Sequence, residues 1–85
     1  MKELLIFLAM FHCHPNLDDL VYVPGLPQRG FIKHGKAYVN SKEDSAILVH
    51  ELYHLCQKKA TNYEEWQANE DAAHIIEMKW RHRDD

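Results

Sequence analysis

The distribution of apolar and polar residues along the chain first predicts an N-terminal helix followed by short strands. The apolar run "LLIFLAMF" favours a helix over residues 2–12, and Pro15 lies shortly beyond it, where a helix should already have ended. "LVYV" at 20–23 is rich in β-branched and aromatic residues, as strands are, and "PGLPQRG" after it is typical of a loop. "FIKHGKAYVN" at 31–40 predicts two strands joined by a turn at His34-Gly35.

The second half of the chain has the periodicity of two helices. "SKED" at 41–44 has the pattern of a capping box, and residues without glycine or proline continue from there to about Lys59. "ATN" interrupts them, and Thr61 with Glu64 offers a second capping box for a long helix over 62–81. We therefore predict that two antiparallel helices follow the strands.

These elements predict one α+β domain over residues 1–85, with an N-terminal helix, a small three-stranded sheet and a helical hairpin. A chain of this length buries limited surface, so a bound ion or a second subunit would stabilise it. The net charge of -3 and the scattered lysines and arginines argue against a nucleic-acid partner. The N-terminal apolar run is too short to span a bilayer, so we expect no membrane partner.

The N-terminus and the cysteines bear on the compartment. A secretory signal at residues 1–13 is the alternative to a helix of the domain, but Glu3 interrupts its basic region and no small-residue cleavage site follows. Cys13 and Cys56 are too few for a disulfide framework, and we expect two reduced thiols. We therefore expect a cytoplasmic protein.

The stretch "AILVHELYHLCQ" at 46–57 carries the chemistry that the chain most strongly suggests. Residues four apart share one face of a helix, so His50 and His54 can bind one ion, and Glu51 lies about 100° away, beside them. Two imidazoles at this spacing are typical of Zn²⁺ ligands, and the adjacent carboxylate can act as a general base. A helix that merely carries two surface histidines is the alternative interpretation.

A hydrolytic zinc site needs a third protein ligand and an open position for water. The last helix offers four glutamates: Glu64, Glu65, Glu70 and Glu77. Helical projection puts Glu65 within about 60° of the centre of the apolar face and Glu70 about 80° away on the other side. We choose Glu65, with Asn69 one turn later as an amide that could orient an imidazole. Glu70 is the rival, because counting turns from the helical bend places it nearer the depth of His50.

Several other polar residues are weaker candidates. The triplet His12-Cys13-His14 could supply an inhibitory metal ligand, although neighbouring side chains point in different directions and we expect ordinary polar residues at a helix end. Trp80 could contact a second copy in a homodimer. Three side chains could stabilise a developing negative charge: His74, Tyr53 and Tyr63.

"GFIKHGKAYVNSKEDSAILVHELYHLCQ" followed by "EEWQANEDAA" resembles the ImmA/IrrE-type gluzincin metallopeptidases, over roughly residues 20–76. The resemblance implies a zincin-like fold and a protein substrate with a regulatory role. It also implies these site residues: zinc ligands His50, His54 and Glu65, the general base Glu51, and Asn69 as an outer partner.

We therefore expect a Zn²⁺-dependent metallopeptidase that acts on a peptide or protein. The edge strand of the sheet, which we expect within 36–40, could hold an extended substrate by strand addition. The alternative is a zinc-binding structural or interaction module without catalysis.

Overall fold

The structure is a computed structural model that describes residues 1–83. Its helices are α1 (Lys2–Ala9), α2 (Ser45–His54) and α3 (Tyr63–Arg81), and its strands are β1 (Leu20–Tyr22), β2 (Gly30–Lys33) and β3 (Lys36–Val39). A single 3-10 turn, Leu17–Asp19, precedes β1. The predicted α+β layout is confirmed.

The three strands form one mixed sheet in the order β1-β3-β2. β3 pairs in parallel with β1 and antiparallel with β2, and the predicted turn at His34-Gly35 joins β2 to β3. Because β3 is paired on both sides, the prediction that a strand within 36–40 holds substrate at an edge is wrong. β1 and β2 are the two edge strands, and β2 is the one that lies next to α2.

α2 begins later and ends earlier than the sequence pattern predicts. Its N-cap is Asp44, whose carboxylate accepts a hydrogen bond from the Ile47 N–H at 3.2 Å, whereas Ser41 accepts from the Glu43 N–H in the preceding turn. The helix ends at His54, and the chain then tightens into bonds between residues three apart. The metal motif therefore occupies the last turns of the helix.

The core lies where α1, β3, α2 and α3 meet. It contains apolar side chains from every one of these elements: Leu4, Leu8, Val39, Leu48, Val49, Leu52, Ile76 and Trp80. Trp80 is only 4% exposed, and its indole N–H donates to the Ser45 hydroxyl at 2.9 Å. The indole is thus buried and hydrogen-bonded inside the chain, and it offers little surface to a second copy.

Cys13 and Cys56 form a disulfide across 43 residues of sequence, so the prediction of two reduced thiols is wrong. The bond connects the segment after α1 to the segment after α2. Cys13 is buried at 1% exposure, while Cys56 is exposed. Within residues 1–83, none of the helices combines the length and apolar character needed to cross a bilayer.

Candidate metal centre

Three side chains of α2 converge at the end of the helix. His50, Glu51 and His54 each offer a ligand atom, and these atoms lie within 4.8 Å of one another, so the group could hold a metal ion. The two histidines stand one helical turn apart, and their Nε2 atoms are 3.1 Å from each other. This pairing agrees with the geometry that the HExxH spacing predicts.

Glu70 of α3 closes the group from the opposite side. One oxygen of its carboxylate lies 3.4 Å from the Nε2 of His50, and the other lies 3.1 Å from the Nε2 of His54. Zinc–nitrogen bonds of about 2.0–2.1 Å in a tetrahedron place neighbouring ligand atoms about 3.3 Å apart. The two nitrogens are 3.1 Å apart, and each lies 3.1 to 3.4 Å from a different oxygen of Glu70, so the two histidines and Glu70 could hold a small metal ion.

A carboxylate on α3 orients the first imidazole. The Nδ1 of His50 donates to an oxygen of Glu77 at 2.9 Å, and Glu77 is 8% exposed. The other oxygen of Glu77 accepts from two nitrogens of Arg81, at 3.0 and 2.9 Å. Because the proton of His50 is held on Nδ1, its Nε2 presents a lone pair to the centre of the group.

An amide orients the second imidazole. The Nδ1 of His54 donates to the side-chain oxygen of Gln57 at 2.6 Å, and the amide nitrogen of Gln57 donates to the backbone oxygen of Asn69 at 2.9 Å. The side chain of Asn69 instead donates to the backbone oxygen of Lys58 at 2.9 Å. The residue that orients the imidazole is therefore Gln57 and not Asn69, whose amide fastens the connecting segment to α3.

The hydrogen bonds leave three electron-rich groups facing one another. In neutral imidazoles whose Nδ1 atoms donate to Glu77 and Gln57, both Nε2 atoms carry lone pairs, and these face the carboxylate of Glu70. Lone pairs and carboxylates at such distances repel unless a positive charge lies among them. Burial lowers the pKa of His54, which disfavours a proton as that charge and suits a metal ligand.

Glu65, the third ligand that we predicted, is not brought to the histidines. One of its carboxylate oxygens accepts from the Thr61 hydroxyl at 2.7 Å and from the Thr61 N–H at 2.8 Å. Its own N–H donates to the side chain of Asn62, the N-cap of α3, so Glu65 belongs to the cap of the helix. The hydrogen bonds from Thr61 lower the pKa of this exposed carboxyl.

Glu51 lies beside the group and is nearly enclosed. It is 6% exposed, and burial, followed by the negative charges of Glu70 and Glu77, raises its pKa to about 7. Its carboxylate packs against the backbone of β2 so closely that a Cβ atom on Gly30 would come within 2.6 Å of its Oε2. Glycine is therefore required at position 30 for this placement of the carboxylate.

An open cleft of about 1140 Å³ extends from the metal group. β2 forms one wall with Gly30, Phe31 and Ile32, and the segment after α2 and the first half of α3 form another. His12 and His14 also line the cleft, whereas Cys13 between them is held in the disulfide and has no thiol to offer. The side chains that we considered for charge stabilisation are not among its lining residues: His74, Tyr53 and Tyr63.

The role of Gln57 in orienting His54 was not predicted from the sequence, and Glu77 was considered only as a possible metal ligand. The available signals were the three-residue spacing from His54 to Gln57 and the seven-residue spacing from Glu70 to Glu77, which keeps two glutamates on one face of a helix. Comparison of the chain with models of protein families, with curated proteins and with solved structures finds no significant match. The residues and their geometry are therefore the basis for assigning a function.

Proposed function

We propose that this protein is a zinc-dependent metallopeptidase with His50, His54 and Glu70 as ligands and Glu51 as general base. The observation that supports this most strongly is the meeting of three side chains: the two Nε2 atoms are 3.1 Å apart, and each lies 3.1 to 3.4 Å from an oxygen of Glu70, with a buried carboxylate beside them in an open cleft. Glu70 thus replaces Glu65 in the site predicted from the sequence. Two imidazoles and one carboxylate form a donor set typical of catalytic zinc.

A zinc ion bound there would polarise a peptide carbonyl and make water acidic enough to lose a proton near neutral pH. The chain's own contribution is the carboxylate of Glu51, which lies within 4.8 Å of the histidine ligand atoms. This carboxylate would accept the proton of the attacking water and then donate it to the leaving amine. A pKa near 7 favours both transfers, and a cation close by would lower it.

β2 supplies a way to hold an extended peptide. It is an edge strand, and Gly30, Phe31 and Ile32 line the cleft above Glu51. A peptide that pairs with this edge would run past the metal group with its backbone aligned to the strand.

We further propose an oxidising compartment in place of the cytoplasm, because disulfides such as Cys13–Cys56 persist there.

The second candidate is a structural zinc site. The ligands come from both α2 and α3, so an ion would also connect the two helices and stabilise the fold. Glu51→Gln separates the two functions, since Gln has nearly the same shape but cannot accept a proton.

The experiment loads wild type and Glu51→Gln with one equivalent of zinc and measures hydrolysis of an unfolded protein substrate together with bound metal. Hydrolysis by wild type that is lost in Glu51→Gln, with zinc retained in both, supports the peptidase. Stoichiometric zinc without hydrolysis in wild type supports the structural site.

A further inference from the structure

The histidines of this chain are concentrated in the cleft. Of the seven in the sequence, five line it: His12, His14, His34, His50 and His54. The last two belong to the metal group. The other three are exposed and come from two separate segments, the end of α1 and the turn between β2 and β3. Together with Lys58 and Lys59, these three histidines form what we term the basic rim.

Two residues of the basic rim occupy backbone positions that usually favour other residues. Among residues 1–83, His12 (φ 60°) and His34 (φ 52°) are the two non-glycine residues with positive φ. His12 follows the end of α1, where glycine is the usual residue, and His34 precedes Gly35 (φ 74°) in a tight hairpin turn, where asparagine is preferred. An imidazole is thus present at both sites although the backbone itself would favour a different side chain.

The charges around the cleft are uneven. Among residues 1–83, three acidic residues line it: Asp19, Glu51 and Glu70. Two of them belong to the metal group, where a divalent cation would offset their charge, and Asp19 lies 3.5 Å from the ammonium group of Lys36. The whole chain has a net charge of -3, whereas the border of the cleft outside the metal group carries two lysines and three imidazoles.

We propose that the basic rim selects peptide segments rich in aspartate and glutamate. This inference rests on the proposed peptidase cleft and specifies its substrate class. Carboxylates accept hydrogen bonds from imidazole N–H groups and from lysine ammonium groups. The free edge of β2 offers backbone pairing, which a peptide can use and a nucleic acid cannot.

The test measures binding rather than cleavage, with zinc-loaded Glu51→Gln protein. Two labelled peptides are compared by fluorescence polarisation: alternating threonine and glutamate, and alternating threonine and glutamine. We expect the acidic peptide to bind about five- to tenfold more tightly, as a few surface ion pairs can provide. Added salt should reduce the difference.

The rim variant combines His12→Asn, His34→Asn, Lys58→Gln and Lys59→Gln. Asparagine tolerates positive φ, so the backbone at both turns is kept. The control makes the same two kinds of change once each, His74→Asn and Lys79→Gln, at positions on α3 that do not line the cleft. The rim variant should bind both peptides equally, and the control should keep the preference.

Equal binding of the two peptides to the parent protein, a preference that survives in the rim variant, or no binding of either peptide would overturn the inference. A preference that is present while wild type lacks hydrolysis would reject the peptidase and leave the basic rim as a binding site for acidic peptides. Hydrolysis by wild type without a preference for the acidic peptide would support the peptidase and reject the selection of acidic peptides.

Discussion

The Nδ1 of His50 lies 2.9 Å from a carboxylate oxygen of Glu77, on the helix that also carries Glu70. α3 therefore supplies both the carboxylate that approaches the metal face of the imidazole and the carboxylate that holds its opposite side. Arg81, one turn beyond Glu77, forms an ion pair with the second oxygen of that residue. One helix face thus sets the position and the tautomer of an imidazole on its neighbour.

Glu70→Gln should weaken zinc binding more strongly than any change at Glu65. Glu70 contacts both imidazoles, while Glu65 is bonded to Thr61 at the start of α3. We expect a loss beyond the roughly 10–100-fold that is typical for an outer partner of a metal ligand. Competition with a chromogenic chelator measures it. Glu65→Gln is the matched control, and a larger loss in that variant would restore Glu65 as the ligand.

Glu77→Gln should lower zinc affinity by about 10–100-fold without removing a ligand. The amide can still accept the Nδ1–H of His50, but it no longer increases the basicity of the imidazole or pairs with Arg81. The same chelator titration tests this, with the exposed Glu64→Gln as the control. Unchanged affinity in Glu77→Gln would show that the carboxylate has only a structural role.

Breaking the disulfide should affect both the fold and the site. Closing 43 residues stabilises the folded state by about 4 kcal/mol in a chain-entropy account. Cys56 also adjoins Gln57, which orients His54. A dithiol reduces the Cys13–Cys56 bond to two thiols and itself becomes a disulfide. We expect the reduced protein to bind zinc more weakly. Urea unfolding and zinc titration measure the two effects.

The Cys13→Ser/Cys56→Ser variant should reproduce the reduced protein and should not respond to the dithiol. The sequence has only these two cysteines, so any response of the wild type reports on this bond. Equal or tighter zinc binding by the folded variant would contradict the role of the bond in placing Gln57.

Gly30→Ala should impair the general base while sparing the metal ligands. The added Cβ would lie 2.6 Å from the Oε2 of Glu51, so this carboxylate must move. Misplacement of a catalytic group by about 1 Å can lower the rate about 100-fold. Hydrolysis assays and zinc titration of the same preparation test the separation. Full activity in the variant would show that the contact with Gly30 is not needed.

The stability of the zinc-free protein should depend on pH through Glu51. Its folded-state pKa of about 7 lies above the ordinary 4.5, so the folded form retains a proton that the unfolded chain has lost. The free energy of unfolding therefore falls as the pH rises from about 4.5 to about 7, by on the order of 3 kcal/mol. Above about pH 7, the ionised Glu51 keeps this unfavourable contribution to the free energy of unfolding.

Glu51→Gln should remove this fall. Urea unfolding in a chelator, at about pH 5 and about pH 8, gives the difference between variant and wild type. His54 has the opposite effect on stability, because its lowered pKa makes the free energy of unfolding fall as the pH falls below 6.5. This effect is present in both proteins and therefore cancels in their difference. A parallel pH dependence of the two proteins would contradict the raised pKa of Glu51.

Local patterns in the sequence were sufficient for much of the molecule. The i, i+4 spacing of His50 and His54 depends only on the helical repeat, and it correctly predicted that the imidazoles converge. The turn at His34-Gly35 and the order of helices and strands follow from equally local preferences. The role of Glu65 at the start of α3 could also have been predicted from the local sequence, since a glutamate three residues after the cap residue Asn62 is a capping pattern.

The tertiary structure decided which distant residues meet. Whether Glu65 or Glu70 reaches the histidines depends on how far α3 is displaced along α2, and that displacement is set by the burial of side chains such as Ile76 and Trp80. The pairing of Cys13 with Cys56, 5.6 Å apart between Cα atoms, likewise needs the fold to bring two distant segments together. Periodicity determines the direction of a side chain around its own helix, whereas contacts between elements depend on how the whole core packs.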